Sequence, residues 1–437
     1  MGVVNKAKAL SSVALGSAVL MMAGPVFAAD AATGQDNYFA RDRNVSVRER
    51  ARPGYDALGV RLSSFIVYPK LEAGGQYDSN IYGVQNNVVG DFVGVIKPEI
   101  DIDSTWARNS FKAFARANSR FYASRTNEDT TDYQVGGSGS VDLADTVFSA
   151  NGDWGYLAEP RTSSVGQVGA GFTTVHPIEY YLSEINGDAT HVFNRLKLEG
   201  AVGYQSYGFQ NATNLTNQQI LESPFDVNQM TASGKVGYAV SPDTSLYGSI
   251  GYNTISYPNN VLSITGPYSR DSNGETYNVG ADFDITQLIR GNAEFGYFHQ
   301  DFSAANFKSV DGFHASGKVE WFPTQLTTVT LAGGHDVNPA TVQSSPSLII
   351  SRASGQVDHE LLRNLILTGS VRWENDDYQG ITRRDNIEEL TASADYLLSR
   401  NIGVHFAYDY LTQDSVGADR GPNFNDNRVT ISTTLQY

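Results

Sequence analysis

The chain has 437 residues, of which 41% are hydrophobic and only 18% charged, with 42 glycines, 24 tyrosines, 21 phenylalanines and no cysteine. Charged content below the roughly 25% of soluble domains, together with many aromatics, speaks against a helical protein and for pleated strands. The absence of cysteine excludes disulfides, thiolate nucleophiles and Cys-ligated metals. A net charge of −16 without a concentrated basic patch excludes nucleic acid as a partner.

The first element is a leader. Lys6 and Lys8 precede an apolar run from Ala9 to Val26, and Val26-Phe27-Ala28 offers small residues at the −3 and −1 positions of a cleavage site. This predicts a Sec signal peptide over 1–28. No later stretch approaches the ~18 apolar residues a membrane helix needs. Residues 29–64 carry Arg41, Arg43, Arg48, Arg50 and Arg52 among several acids. With so little to bury, they are expected to form an unstructured periplasmic tail, with a short plug or a docking segment as alternatives.

From about Phe65 the pattern is alternation. Leu196, Leu198, Gly200, Val202 and Tyr204 alternate with polar or small residues, as do Met230 to Tyr238, Tyr277 to Ile285 and Leu365 to Trp373. Strand side chains point to opposite faces, so each segment has one apolar and one polar face. The stripes run nine to ten residues, the length of a tilted transmembrane strand. Tight turns are expected near Ser104, at Asp145, near Asn194, at Pro242, near Gln287, at Pro323-Thr324, near Arg363 and at Ser399-Asn401. Between them come longer polar loops at 158–175, 208–224, 257–273, 301–309, 336–346, 375–385 and 412–426. That strict alternation predicts an all-β fold over 65–437. It is a transmembrane antiparallel up-and-down barrel of about 18 strands, in a range of 16–18, with short periplasmic turns and longer extracellular loops.

Aromatic residues fit the same scheme. Tyr156, Tyr204, Tyr252, Tyr297, Trp373 and Tyr408 fall late on upward strands, and Tyr238, Trp321 and Tyr396 late on downward ones. Two such girdles belong at two headgroup levels. The chain ends Val429-Thr-Ile431-Ser-Thr433-Thr-Leu435-Gln-Tyr437, an apolar stripe with a terminal aromatic. An exposed edge like this is a hazard in a soluble protein. In a barrel it closes on the first strand, and Leu435 and Tyr437 are the expected signal for the barrel assembly machinery of a Gram-negative outer membrane.

The segment from Arg50 to Glu72, with Arg-Pro-Gly-Tyr-Asp and Leu-Gly-Val-Arg, and then Tyr77-Asp-Ser-Asn-Ile-Tyr82, resembles the opening of the putative β-barrel porin type 2 family. The resemblance covers about 35 residues in motif and most of the mature chain in architecture. It implies a proteobacterial outer-membrane barrel tied to surface polysaccharide synthesis and export, in some members as the partner of a periplasmic polysaccharide-export protein. The family brings no catalytic motif.

A barrel of this size leaves an aqueous interior. The polar faces of the stripes nominate pore-lining residues: Lys112, Arg116, Arg120, Lys197, Glu199, Lys235, Asp282, Asp284, Lys318, Glu320, Arg352, Arg372, Glu374 and Asp409. Lys97, Glu99 and Asp395 share those faces. The plain reading is a solvated wall of mixed sign. The sharper one takes Lys112, Arg116 and Arg120, four apart on one strand, as a cationic ladder that attracts anions. For catalysis the nearest candidates are His299 with Asp301 and His335 with Asp336, each a lone His beside an acid at a loop end. No His-Glu-x-x-His or Gly-x-Ser-x-Gly pattern occurs. Asn423, Asn425, Asp426 and Asn427 are an unspecific oxygen-rich loop. The expected protein is a non-enzymatic conduit without cofactor or metal, working with outer-membrane lipid, export partners and a polysaccharide substrate. A general or anion-preferring diffusion porin and a surface adhesin are the alternatives.

Overall fold

The computed structural model describes residues 45–437 apart from 163–173, 260–268, 287, 341 and 343–344. The expected signal peptide, Arg41 and Arg43 lie outside the described residues. A short lead strand, Val60–Leu62, hairpins onto the first of eighteen long strands. These are β1 (Phe65–Asp78), β2 (Asp91–Ser104), β3 (Ser110–Tyr122), β4 (Thr130–Asp142), β5 (Thr146–Ala158) and β6 (Glu179–Phe193). Next come β7 (Leu196–Phe209), β8 (Val227–Ser241), β9 (Thr244–Ser256), β10 (Ser272–Ile285), β11 (Ile289–Phe302) and β12 (Val310–Thr324). The chain finishes with β13 (Thr327–Pro339), β14 (Ser347–Leu362), β15 (Leu365–Tyr378), β16 (Arg384–Leu397), β17 (Ile402–Val416) and β18 (Phe424–Gln436). Each pairs antiparallel with the next, and β1 pairs with β18 from Lys70↔Gln436 to Asp78↔Arg428. The eighteen long strands therefore close into a ring, each paired on both sides.

The apolar stripes point outward. Val202, Val279 and Phe295 are 63%, 68% and 64% exposed, and Leu246, Ile250, Val371 and Ile431 are likewise open. A continuous exposed apolar surface around the whole circumference has one stable surrounding, which is lipid. Aromatic residues flank it: Tyr133, Trp154, Tyr156 and Tyr181 form one contiguous outward cluster with centroids 4.9–5.9 Å apart. The burial that a soluble protein keeps in a central core sits instead at the long-loop mouth. There Tyr180, Tyr207, Phe209, Phe225, Val227, Ile255 and Tyr257 pack together on the inner side.

The strands are longer than the stripes, 13 to 16 residues against the expected nine or ten. The loops expected at 375–385 and 412–426 shrink to 379–383 and 417–423. Above the lipid band a strand needs no apolar face, so residues such as Asp376, Asp385, Gln413 and Asp426 look like loop in sequence yet remain in the ladder. The turn expected at Pro323-Thr324 falls two residues later, at Gln325-Leu326, because Thr324 still pairs with Thr327.

Candidate functional site

By strand parity all fourteen nominated residues stand on the inner face, opposite the exposed apolar stripe. Register brings many of them together. Lys70 faces Glu99 and Glu72 faces Lys97 across β1 and β2, giving ion pairs of 3.0 and 3.1 Å. Lys197 reaches Glu199 at 3.2 Å, and Lys235 reaches Asp282 at 3.7 Å while lying 3.7 Å over the Tyr247 ring. Arg290 binds Glu320, Lys318 is 3.9 Å from Glu320, and Arg372 bridges Glu389 at 3.0 Å and Glu374 at 3.8 Å. Asp409 accepts from Thr391 at 2.7 Å, and Asp282 accepts from Ser245 at 3.4 Å. Asp284 stands opposite Arg290, and Arg352 opposite Glu374, by register.

The three β3 cations behave differently. Arg116 donates twice to Gln134 Oε1, at 3.0 and 2.6 Å, and rests 4.8 Å over Phe114. Lys112 and Arg120, on the same face, also lack a carboxylate within 4.0 Å among the described residues. Register nevertheless sets Asp103 opposite Lys112 and Glu99 opposite Arg116.

Sequence reading missed the N-terminal segment's place. Residues 45–59 do not hang free; they form a strap along the inner wall at the short-turn mouth. Val47 is fully buried, its N–H donating to Thr328 Oγ1 at 2.9 Å. Arg48 donates to Asp358 at 2.7 Å and lies 3.6 Å from Asp395. Arg50 and Arg52 converge on Glu360 at 3.4 and 3.2 Å, and Arg290 binds Glu49 at 3.0 Å. Short turns grip the strap's backbone: Arg363 donates to the Ala51 carbonyl at 2.9 Å and Arg400 to that of Pro53 at 2.6 Å. Burial alone pushes the Glu49 carboxyl up, but Arg290 and Ser46 together hold it below its ordinary value. The strap then turns at Gly59, where φ is +68° and a Cβ would meet Ile66 at 2.5 Å, so only glycine fits. Its N–H donates to the carbonyl of Tyr437 at 3.1 Å, and the Tyr437 N–H donates to Pro69. Leu435 pairs with Leu71 and Ile402 on the lipid side. The clue was present in sequence, since arginines two apart at 48, 50 and 52 offer one charged side to a wall.

The long-loop mouth carries its own fastenings, also unseen in sequence. Arg161 forks onto Glu128 at 2.8 and 2.9 Å, and Arg270 lies 4.0 Å over Tyr257 while donating to the Ala340 carbonyl. Arg428 joins Asp426 at 2.6 Å and Asp78 at 3.2 Å across the β1–β18 seam. Glu159 and Glu222, both buried in loops, face one another. Burial and then Glu222 push Glu159 well above the carboxylate range, and burial pushes Glu222 up to about 7.

The candidate catalytic histidines lie elsewhere. His299 sits on the outer face between Asp301 and Asp311, and His335 stacks on Phe313 at 3.9 Å and contacts Ser351 at 2.7 Å.

A closed, lipid-facing antiparallel barrel with a polar, charge-lined interior defines a porin-like outer-membrane protein. The chain belongs to the family described as Putative beta-barrel porin 2, whose sequence pattern matches residues 52–437. No curated protein matches the chain. Among solved structures it is similar to the ferric enterobactin receptor PfeA (a double mutant) of Pseudomonas aeruginosa, at 7% identity and TM-score 0.47, over 85% of this chain and 80% of that one. It is also similar to OpdL of Pseudomonas aeruginosa, at 12% identity and TM-score 0.41 over 86% and 99%, and to OccAB3 of Acinetobacter baumannii, at 13% and 0.43 over 85% and 99%. At this level the likeness brings no ligand with it.

Proposed function

We propose that the barrel is a passive conduit through which a secreted surface polysaccharide crosses the outer membrane. On this reading a Sec signal peptide over 1–28 delivers the chain, and the assembly machinery reads Leu435 and Tyr437. Periplasmic export partners supply the driving force. The fourteen nominated residues line the passage. The observation that carries a conduit is the inner wall itself, where amide, hydroxyl, carboxylate and guanidinium groups line eighteen strands and the packed apolar residues gather at the long-loop mouth. Barrels of this strand number hold an aqueous channel. The motif resemblance at 50–82 favours a polysaccharide over small solutes.

Two measurements test it. Deletion of the gene is expected to abolish surface glycan while leaving small-solute uptake intact. Loss of uptake with glycan retained turns the reading to a diffusion porin. Purified protein in planar bilayers is expected to conduct, either as it stands or once the strap is loosened.

A further inference from the structure

Strand parity sorts the charges of this chain into two populations, and the inner one is strongly acidic. On the inward positions of β1 to β18, carboxylates outnumber lysines and arginines by about two to one. The surplus is visible strand by strand. β2 turns Asp91, Glu99, Asp101 and Asp103 inward against Lys97, and β16 turns Asp385, Glu389 and Asp395 inward with no base. β3 carries three cations and no acid on its inward positions; Lys112 and Arg116 face Asp103 and Glu99 on β2 by register, while Arg120 faces Val95.

Most of the wall's cations are also spent. Lys70, Lys97, Lys235, Arg290 and Arg372 each sit against a carboxylate, so their fields cancel locally. What remains to set the potential is the surplus of carboxylates over bases on the inward positions. The Debye length is roughly 8–10 Å at physiological salt, comparable to a barrel's half-width, so the excess is felt across the passage.

A second observation points to the ligand class. The wall already holds a cationic occupant, the strap, which seats Arg48, Arg50 and Arg52 on Asp358, Asp395 and Glu360. Part of this chain thus demonstrates what the surface accepts.

We propose that the inner wall is a cation-accepting surface, so the conduit prefers cations and the glycan it carries bears amines rather than acid groups. This rests on the conduit reading. It also reverses the expectation drawn from the Lys112–Arg116–Arg120 ladder alone. Three positive side chains on one strand soften a negative wall without changing its sign. The strap arginines occupy carboxylates that a passing amine would otherwise use, so a cationic chain and the strap compete for one surface.

The test is the reversal potential of purified full-length protein in a planar bilayer under a KCl gradient. Potassium is expected to pass over chloride by about threefold or more, and D101N/D103N/D188N should bring that ratio at least halfway to unity. A partly deacetylated chito-oligosaccharide should block the current at lower concentration than an oligogalacturonate of equal length. If the wild-type barrel is closed, the same readings are taken on R48Q/R50Q/R52Q, with heat-shifted gel migration confirming that each variant is folded. Chloride preference, or stronger block by oligogalacturonate, overturns the proposal while leaving a conduit. No current from either folded protein overturns the conduit reading, and the proposal with it.

Discussion

Two sectors of the inner wall solve one problem differently. Between β1 and β2, acids and bases are matched by register, Lys70 to Glu99 and Glu72 to Lys97, on neighbouring strands. On β14 the acids Asp358 and Glu360 have no base opposite them on a neighbouring strand, and Arg48, Arg50 and Arg52 reach them from the strap, about 310 residues away in sequence. The first sector assembles as soon as two strands pair. The second is complete only when the barrel has closed and the strap has folded into it. Local matching gives a wall that is finished by assembly, whereas remote matching gives one that can be opened again.

The largest effect is expected where local matching closes the barrel. Arg428 is buried with Asp426 and Asp78 at the seam, and R428Q strands both carboxylates. Breaking a buried pair costs about 3–5 kcal/mol, so the temperature of the heat-induced gel shift should fall sharply. An unchanged shift would show that the seam is held by its ladder alone. In the remote sector R52Q removes one partner of Glu360 but leaves Arg50 and Arg363 beside it. The expected cost is smaller, on the order of 2 kcal/mol, and falls on the strap rather than the barrel. Protease should cut near residues 45–56 several times faster while the gel shift stays put. If both move together, strap and wall are one cooperative unit and the comparison fails.

The difference between the sectors also explains what the sequence could tell. Alternation, turn spacing and the terminal stripe fix strand number and inside from outside, because lipid on one face and water on the other write a period of two. The same period places all fourteen nominated residues on the inner face. It cannot say that Arg52 meets Glu360, since nothing local records a contact over that distance. Nor does it mark where strands end above the lipid band, where both faces are polar. The five arginines of the leader-to-barrel segment were visible, but their low apolar content argued for disorder. The missing consideration was that a carboxylate wall can bury guanidinium groups that an apolar core cannot.

The long-loop mouth provides a pH-dependent counterpart to the strap. Glu222 is held up to about 7 by burial, and burial with Glu222 beside it also pushes Glu159 well above the carboxylate range. A folded carboxyl raised above its unfolded value near ~4.3 contributes stability that is fully present below that value and lost as pH rises through about 7. Hydrogen-exchange protection in the 210–226 loop, taken relative to the intrinsic amide rate, should therefore fall by about tenfold or more between pH 5 and pH 8. E222Q should flatten that dependence, and a slope unchanged in E222Q would remove Glu222 as its cause.

The smallest effect is expected in the register-matched sector, and it is the most discriminating. Lys97 and Glu72 are each 18% exposed, so their pair lies between a surface and a buried one. K97Q should cost below about 1 kcal/mol, because Ser432 still donates to Glu72 and Lys70 stands nearby. K97E sets a like charge opposite Glu72 and should cost more, while K97E/E72K should restore most of the loss, since register puts the two side chains directly opposite whichever carries the charge. No such rescue is available to the strap, where an Arg52→Glu and Glu360→Arg exchange would also have to satisfy Val47, Arg50 and Arg363. Exchange tolerated on β1 and β2 but refused at the strap is the outcome that distinguishes a wall paired by geometry from one paired by a docked segment.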